Sequence, residues 1–230
     1  MKLKGFTLAE VLITLTIVGV VAALTLPSLN VNSRIREYEA GYGKVISDLS
    51  NINKIVMSDN SSETIMSACG ISSNADAATI NNTYLSCISN YYGIVPKVNP
   101  AVTYSNMPDG ESGNIAANSN TYFLSKNRNM GLMPRNSDAS NTYKNVQLYV
   151  DLNGPSKGPN RLANDLHIFI IEDDGGVYGY GSVMTALHGP NGSKYASRSE
   201  VNCNASGIKA AKACTGSITD NGGKIVYKLP

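Results

Sequence analysis

Gly5-Phe6-Thr7-Leu8-Ala9-Glu10 runs directly into Val11-Leu12-Ile13-Thr14-Leu15-Thr16-Ile17-Val18-Gly19-Val20-Val21-Ala22-Ala23-Leu24-Thr25-Leu26-Pro27, and the reading of this stretch decides the fold. From Val11 to Leu26 it is almost unbroken apolar sequence, with one carboxylate, Glu10, at its start. Phe6 to Pro27 is 22 residues, which as a helix rises about 33 Å, enough for a hydrocarbon core of about 30 Å. A carboxylate at the edge of such a helix is costly in lipid, so Glu10 is a functional residue by default. Upstream, the leader Met1-Lys2-Leu3-Lys4-Gly5 carries two lysines. Lys2 and Lys4 would hold the N-terminus on the cytoplasmic side by the positive-inside rule, so the rest of the chain faces outward.

Gly5-Phe6-Thr7-Leu8-Ala9-Glu10 resembles the G-F-T-L-x-E signature of bacterial type IV pilins and of the pseudopilins of type II secretion. Gly19 and Pro27 fall where that family has its helix-weakening glycine and proline. The resemblance covers about the first quarter of the chain, and the rest matches no particular pilin. It implies a prepilin peptidase that cleaves after Gly5 and methylates the new amine of Phe6. A residue without a side chain at Gly5 lets a protease approach the backbone closely. It also implies that Glu10 pairs with the N-terminal amine of a neighbouring subunit. A carboxylate left unpaired in a medium of low dielectric costs far more than a paired one. Gly19 weakens a helix and Pro27 removes a donor, and local unwinding between them is implied when subunits pack.

The competing reading is an ordinary secretory signal peptide. Val11 to Ala23 has the length of its apolar region, and Val21-Ala22-Ala23 is a tolerable small-residue site, so the mature chain would begin at Leu24. Glu10 at the edge of the apolar run argues against it. So does the helical pattern that continues past Pro27.

That continuation is legible in Ile35, Tyr38, Tyr42, Val45, Leu49, Ile52 and Val56, which recur in alternating steps of three and four. Such spacing makes one amphipathic stripe. A coiled-coil seam is the other way to use it, but Gly41 and Gly43 interrupt the stripe and packing on a globular head explains it. The expected organisation is a leader (residues 1–5), a membrane and filament-core helix (6–27), its amphipathic continuation (28–57) and a globular head (58–230). The expected fold is α+β and pilin-like, a long N-terminal helix packed on a small antiparallel sheet.

Composition narrows the function. The 230 residues carry 19 basic and 17 acidic side chains. Cleavage after Gly5 would remove Lys2 and Lys4 and leave 17 of each, so no electrostatic case for nucleic-acid binding remains. Asn, Ser, Gly and Thr are abundant past Ser58, while the chain has no Trp and three Phe, the mark of a head with much loop and a modest core. Four cysteines, Cys69, Cys87, Cys203 and Cys214, lie outside the membrane on this topology, in an oxidising compartment. They allow three connectivities. Local pairs, Cys69 with Cys87 and Cys203 with Cys214, are the expectation. The second would resemble the disulfide-bounded C-terminal region of many type IV pilins. A metal site is the alternative, but there is no C-x-x-C, and His167 and His188 are far from the cysteines in sequence.

Along the head, Ser58 to Ala75 reads as a polar connection and Thr79 to Tyr92 as a helix with Ile80, Tyr84, Leu85 and Ile88 on one face. Pro96 and Pro100 end it. Asn99 to Asn141 reads as a surface excursion with short strands such as Thr121 to Leu124. Val146, Leu148 and Val150 alternate with Gln147 and Tyr149 as a strand. Leu166 to Ile171, Val177 to Tyr180 and Lys224 to Leu229 are further strands, and Ala205 to Ala213 a short helix. Asp151, Asn153, Asn160 and Asp165 gather oxygens around a glycine turn, which suits calcium. Major pseudopilins of type II secretion carry a calcium loop, but its pattern differs. As an EF-hand the loop fails at Pro155 and Leu162, the fifth and twelfth positions. Asx turns joining two strands are the favoured reading.

No catalytic constellation stands out. His167 sits in an apolar run, His188 precedes Gly189-Pro190, and no phosphate-binding glycine loop is present. Neither an enzyme nor a cofactor is expected. The expected function is a structural subunit, a pilin or pseudopilin, that waits in the inner (cytoplasmic) membrane and then enters a periplasmic or extracellular filament. Its partners would be itself, other pilins, the prepilin peptidase and the inner-membrane assembly machinery. The alternatives are a minor tip pilin whose loops bind a surface, DNA or a secreted protein, and a secreted protein with an ordinary signal peptide.

Overall fold

The computed structural model describes residues 5–72, 74–98, 121–125, 131–134, 145–154, 157–182 and 208–227. The chain divides into two compact units, Met1–Glu37 and Tyr38–Pro230. Helix α1, Leu8–Asp59, contributes to both.

In the first unit, the described residues hold one helical segment long and apolar enough to cross a membrane, the 18 residues Leu8–Thr25. Leu8, Leu12, Ile13, Leu15, Ile17, Val18 and Leu24 are all exposed. A contiguous apolar surface of this kind calls for lipid or partner helices to cover it. The secondary structure is helical through both Gly19 and Pro27. Three threonine hydroxyls in the span donate to carbonyls one turn back: Thr14 to Glu10 (2.9 Å), Thr16 to Leu12 (2.8 Å) and Thr25 to Val21 (3.0 Å). Such bonds let a hydroxyl enter an apolar medium without leaving it unsatisfied.

The second unit begins with the stripe on α1. Tyr38, Tyr42, Val45, Leu49, Ile52 and Val56 are all buried, as their spacing requires, while Ile35 is half-buried. The segment after α1, read above as a polar connection, contains a short helix, α2 (Ile65–Ala68). Thr64 caps it by accepting from the Ser67 N–H, and Ile65 and Met66 enter the core. Helix α3 follows, Ala77–Tyr92. Asp76 caps its start through the Thr79 N–H at 2.7 Å. Gly93, in the left-handed region, ends it by donating to the Ser89 carbonyl. Ile80, Tyr84, Leu85 and Ile88 are buried together, as expected.

Six strands form one antiparallel meander in the order β1 to β6: β1 (Ile94–Val98), β2 (Thr121–Ser125), β3 (Gly131–Pro134), β4 (Val146–Asp151), β5 (Leu166–Ile171) and β6 (Val177–Gly179). The long helix and antiparallel sheet are the expected α+β architecture. The β1 strand is a correction, because Pro96 marked only a helix end in the sequence. The strand tolerates it because β1 lies at the sheet edge. Strand β4 corrects the simple alternation, since all six of its residues are buried, Gln147 and Tyr149 included. Both of its faces are covered.

Helix α4, Ile208–Asp220, runs on past Ala213, where the helix read from Ala205 was expected to end, and residues 205–207 lie outside the described ones. Gly216 looks like a helix breaker in sequence. It is needed because a Cβ there would come within 2.1 Å of the Ser182 nitrogen. Gly179 likewise lies where a Cβ would sit 2.2 Å from the Thr215 carbonyl oxygen. These two glycines let α4 seat directly on the end of β6. The strand read over Lys224 to Leu229 does not form across Lys224 to Tyr227, and Leu229 lies outside the described residues. Side chains replace the ladder: the Ile225 N–H donates to Glu39 Oε1 at 3.0 Å, and the Tyr227 hydroxyl to the Ala163 carbonyl at 3.0 Å.

Tyr42 joins helix to sheet. Its ring packs on Phe169 at 5.0 Å and edge-on against His167 at 6.0 Å. Its hydroxyl donates to the Thr215 carbonyl at 3.0 Å and also contacts the Thr219 hydroxyl. Asn53 is a second junction, buried within the apolar stripe. It accepts from the Tyr84 hydroxyl at 2.8 Å and donates to the Gly175 carbonyl at 2.9 Å, so α1, α3 and the β5–β6 turn meet there.

Candidate functional site

Gly5, Phe6 and Thr7 precede α1 without regular secondary structure, and all three are exposed. A Cβ built on Gly5 meets nothing within 4 Å, and Phe6 is 88% exposed. The Gly5–Phe6 bond is thus exposed backbone outside any regular element.

Glu10 lies in the first turn of α1, and Thr7 holds it. The Thr7 N–H donates to Glu10 Oε2 at 2.9 Å, and the Thr7 hydroxyl donates to the same oxygen at 2.8 Å. In return Thr7 Oγ1 accepts the Glu10 N–H at 3.3 Å. This is a reciprocal capping box. The sequence contained its signal, Thr7-Leu8-Ala9-Glu10, a threonine three residues before a glutamate at the head of an apolar run. In sequence Glu10 stands out as the carboxylate beside the apolar run, and Thr7 does not. Cleavage after Gly5 would leave Phe6 as the first residue, so the Thr7 amide would survive in the mature chain.

The head contains no comparable site among the described residues. His167 is fully buried in β5, and burial lowers its pKa to about 4. Its Nε2 lies 3.0 Å from the Asn164 carbonyl and its Nδ1 3.3 Å from the Thr215 hydroxyl. The carbonyl assigns the proton to Nε2. The imidazole is a neutral bridge from β5 to α4, closed to any substrate. Nearby, the Thr215 hydroxyl oxygen also accepts the Ile168 N–H at 3.0 Å.

The two carboxylates among the four calcium candidates accept backbone N–H groups, and the Asn153 side-chain amide donates to the Gly158 carbonyl at 3.4 Å. Asp151 Oδ1 accepts the N–H groups of Asn153 (3.2 Å) and Gly154 (2.9 Å), an Asx turn. Asp165 accepts those of Asn160 and Arg161, each at 2.8 Å and each on its own oxygen. Burial pushes Asp165 above the usual carboxylate range, opposed by these bonds. Asn160 and Ala163 take positive φ to make the turn. Among the described residues, no group of three or more His, Cys, Asp or Glu side chains is placed to hold a metal ion. Asp151 makes one Asx turn, whereas Asp165 holds the N–H groups of residues five and four positions before it, which is not the second Asx turn expected from the sequence.

Cys69, at the end of α2, and Cys87, on α3, form a disulfide, with Cα atoms 5.5 Å apart. Cys214 on α4 is buried and disulfide-bonded. Its expected partner, Cys203, lies outside the described residues, as does His188.

Searches of curated proteins and of solved structures gave no match to the chain. One family comparison did, and it falls on the segment that carries the capping box and the apolar span. Residues 1–26 match the family model of the prokaryotic N-terminal methylation motif, the prepilin signature of type IV pilins and pseudopilins.

Proposed function

We propose that this protein is a structural subunit of a type IV pilus or of a type II secretion-like filament. It is made as a prepilin, cleaved after Gly5 by prepilin peptidase and methylated on the amine of Phe6. Leu8–Thr25 anchors it in the inner membrane, with its N-terminus in the cytoplasm and its head outside. The assembly machinery then transfers it to the filament. There apolar helices replace lipid around this segment, and Glu10 meets the Phe6 amine of another copy or of a related subunit. The single observation that carries this reading is the methylation motif over residues 1–26, set on an exposed apolar helix. The work is self-association.

Mass spectrometry of the membrane-held or filament form, from cells that contain the peptidase, tests it. The expected mature N-terminus is N-methylated Phe6. An N-terminus at Leu24 would make the apolar segment a discarded signal and overturn the reading.

A further inference from the structure

The apolar span carries few polar side chains, and all but one of their atoms are satisfied within the helix. The hydroxyls of Thr14, Thr16 and Thr25 donate to backbone carbonyls. Glu10 Oε2 takes two bonds from Thr7. Among the described residues of this segment, Glu10 Oε1 is the side-chain polar atom that no hydrogen bond engages. In water that oxygen would be hydrated. At the edge of a hydrocarbon layer it needs a donor from elsewhere.

We propose that Thr7 is a positioning residue for assembly: it holds Oε2 of Glu10 within the same helix and so presents Oε1 as the single acceptor for a cation from a second copy of this chain. The inference rests on the pairing role given to Glu10 under Proposed function. Thr7 does two things at once. It fixes the carboxylate rotamer, so the entropy of ordering it is lost before the second subunit arrives. It also satisfies half of the carboxylate while the subunit waits in the membrane, which lowers the cost of keeping a charge there. A carboxylate free to turn would offer either oxygen, in no fixed direction.

The test uses the full chain in cells that contain the peptidase and the assembly machinery. Thr7→Val keeps the shape and removes the hydroxyl. Thr7→Ser keeps the hydroxyl and loses a methyl. Thr7→Val is expected to be cleaved and inserted normally and to lower filament yield about tenfold, the equivalent of one lost hydrogen bond to a charged group. Thr7→Ser is expected to assemble close to wild type. The start of the helix is monitored separately, because the Val11 N–H bonds the Thr7 backbone carbonyl at 3.2 Å, which Thr7→Val leaves in place. Thr7→Val loses the cap bond from the Glu10 N–H, so exchange at the Glu10 amide should quicken, whereas exchange at the Val11 amide, in detergent-held protein, should be unchanged. Wild-type filament yield from Thr7→Val overturns the proposal. So does a loss accompanied by faster exchange at Val11, which would make Thr7 a helix cap and nothing more. Glu10→Ala is the separating control. If it assembles normally, the pairing role itself fails. If it fails to assemble while Thr7→Val succeeds, only the positioning role falls.

Discussion

Glu39 and Lys224 are 185 residues apart in sequence, and the Lys224 ammonium lies 3.1 Å from Glu39 Oε2. The other oxygen of the same carboxylate accepts the Ile225 N–H at 3.0 Å. The lysine side chain is 69% exposed, so the ion pair alone contributes little. The backbone bond to a charged, half-buried acceptor is worth more, about 1.5–3 kcal/mol. Lys224→Ala should therefore cost under about 1 kcal/mol, whereas Glu39→Ala should cost the larger amount and release the segment from Lys224 to Tyr227. Thermal unfolding of the two variants checks the order. Equal losses would assign the stabilisation to the ion pair instead.

The disulfide between Cys69 and Cys87 spans 18 residues and ties α2 to α3. Closing a loop of that size restricts the unfolded chain by about 3 kcal/mol, a large share of the 5–15 kcal/mol or so that holds an ordinary domain together. Replacing both cysteines with serine should lower the unfolding temperature of the head. It should leave insertion of Leu8–Thr25 unchanged, because that helix depends on lipid. Non-reducing peptide mapping should find Cys69 joined to Cys87 and Cys214 joined to Cys203. A peptide that joins Cys69 to Cys214 would refute the local pairing.

The stripe on α1 was legible because periodicity is a local property, and burial of Tyr38 through Val56 followed it residue for residue. Leu166–Ile171 was legible for the same reason, as a continuous apolar run. Strand β3 was not, since Gly131-Leu132-Met133-Pro134 has neither alternation nor β-branched residues and is held by its neighbours. The burial of Gln147 was hidden because its backbone N–H is satisfied by Asn81, at 2.8 Å, a partner 66 residues away. Long-range side-chain bonds of this kind leave no spacing for a sequence to show. They also explain why the C-terminal segment reads as a strand and is not one across its described residues. At the N-terminus, the Thr7–Glu10 box was present in the sequence, but the stronger cleavage signature overlay it.

Gly179 and Gly216 face close backbone, and neither has room for a methyl group. Gly216→Ala should force α4 away from Gly181 and Ser182 and destabilise the head by about 1–3 kcal/mol, as overpacked cores do. Gly19→Ala is the contrasting case, since a Cβ there meets nothing within 4 Å. It should stabilise isolated α1 by about 1 kcal/mol or less. If Gly19 is needed for unwinding in the filament, the same change should reduce assembly. Circular dichroism on the detergent-held chain and filament yield separate the two effects.

Two buried groups should give the head opposing pH responses. His167 is held neutral, with its pKa lowered to about 4 by burial. Its unfolded value is near 6.5, so the unfolded chain binds the extra proton first, and stability is lost as pH falls from about 6.5 through 4. Glu172 is 6% exposed, its Oε1 is buried without a hydrogen-bond partner, and its pKa is raised to about 7, first by burial and then by Asp174 and Asp173. Tyr178 on β6 also bears on it electrostatically, while α1 and α2 present Asn53, Met57 and Met66 at the same turn. Here the folded state keeps the proton longer, so stability is lost as pH rises from about 4.5 through 7. Each shift corresponds to about 3 kcal/mol, and between about pH 4.5 and 6.5 the two slopes cancel in the wild type. Single variants should uncover them. Glu172→Gln should leave a head that gains stability steadily from pH 4.5 to 6.5 and is firmer than wild type at pH 8. His167→Gln should leave one that loses stability as pH rises toward 7. Unfolding temperatures measured across pH 4 to 8 on the detergent-held full chain decide it. A flat profile for Glu172→Gln would mean that burial does not hold His167 neutral, and a wild-type profile that rises as steeply as that of Glu172→Gln would mean that the Glu172 carboxylate finds a partner when it ionises.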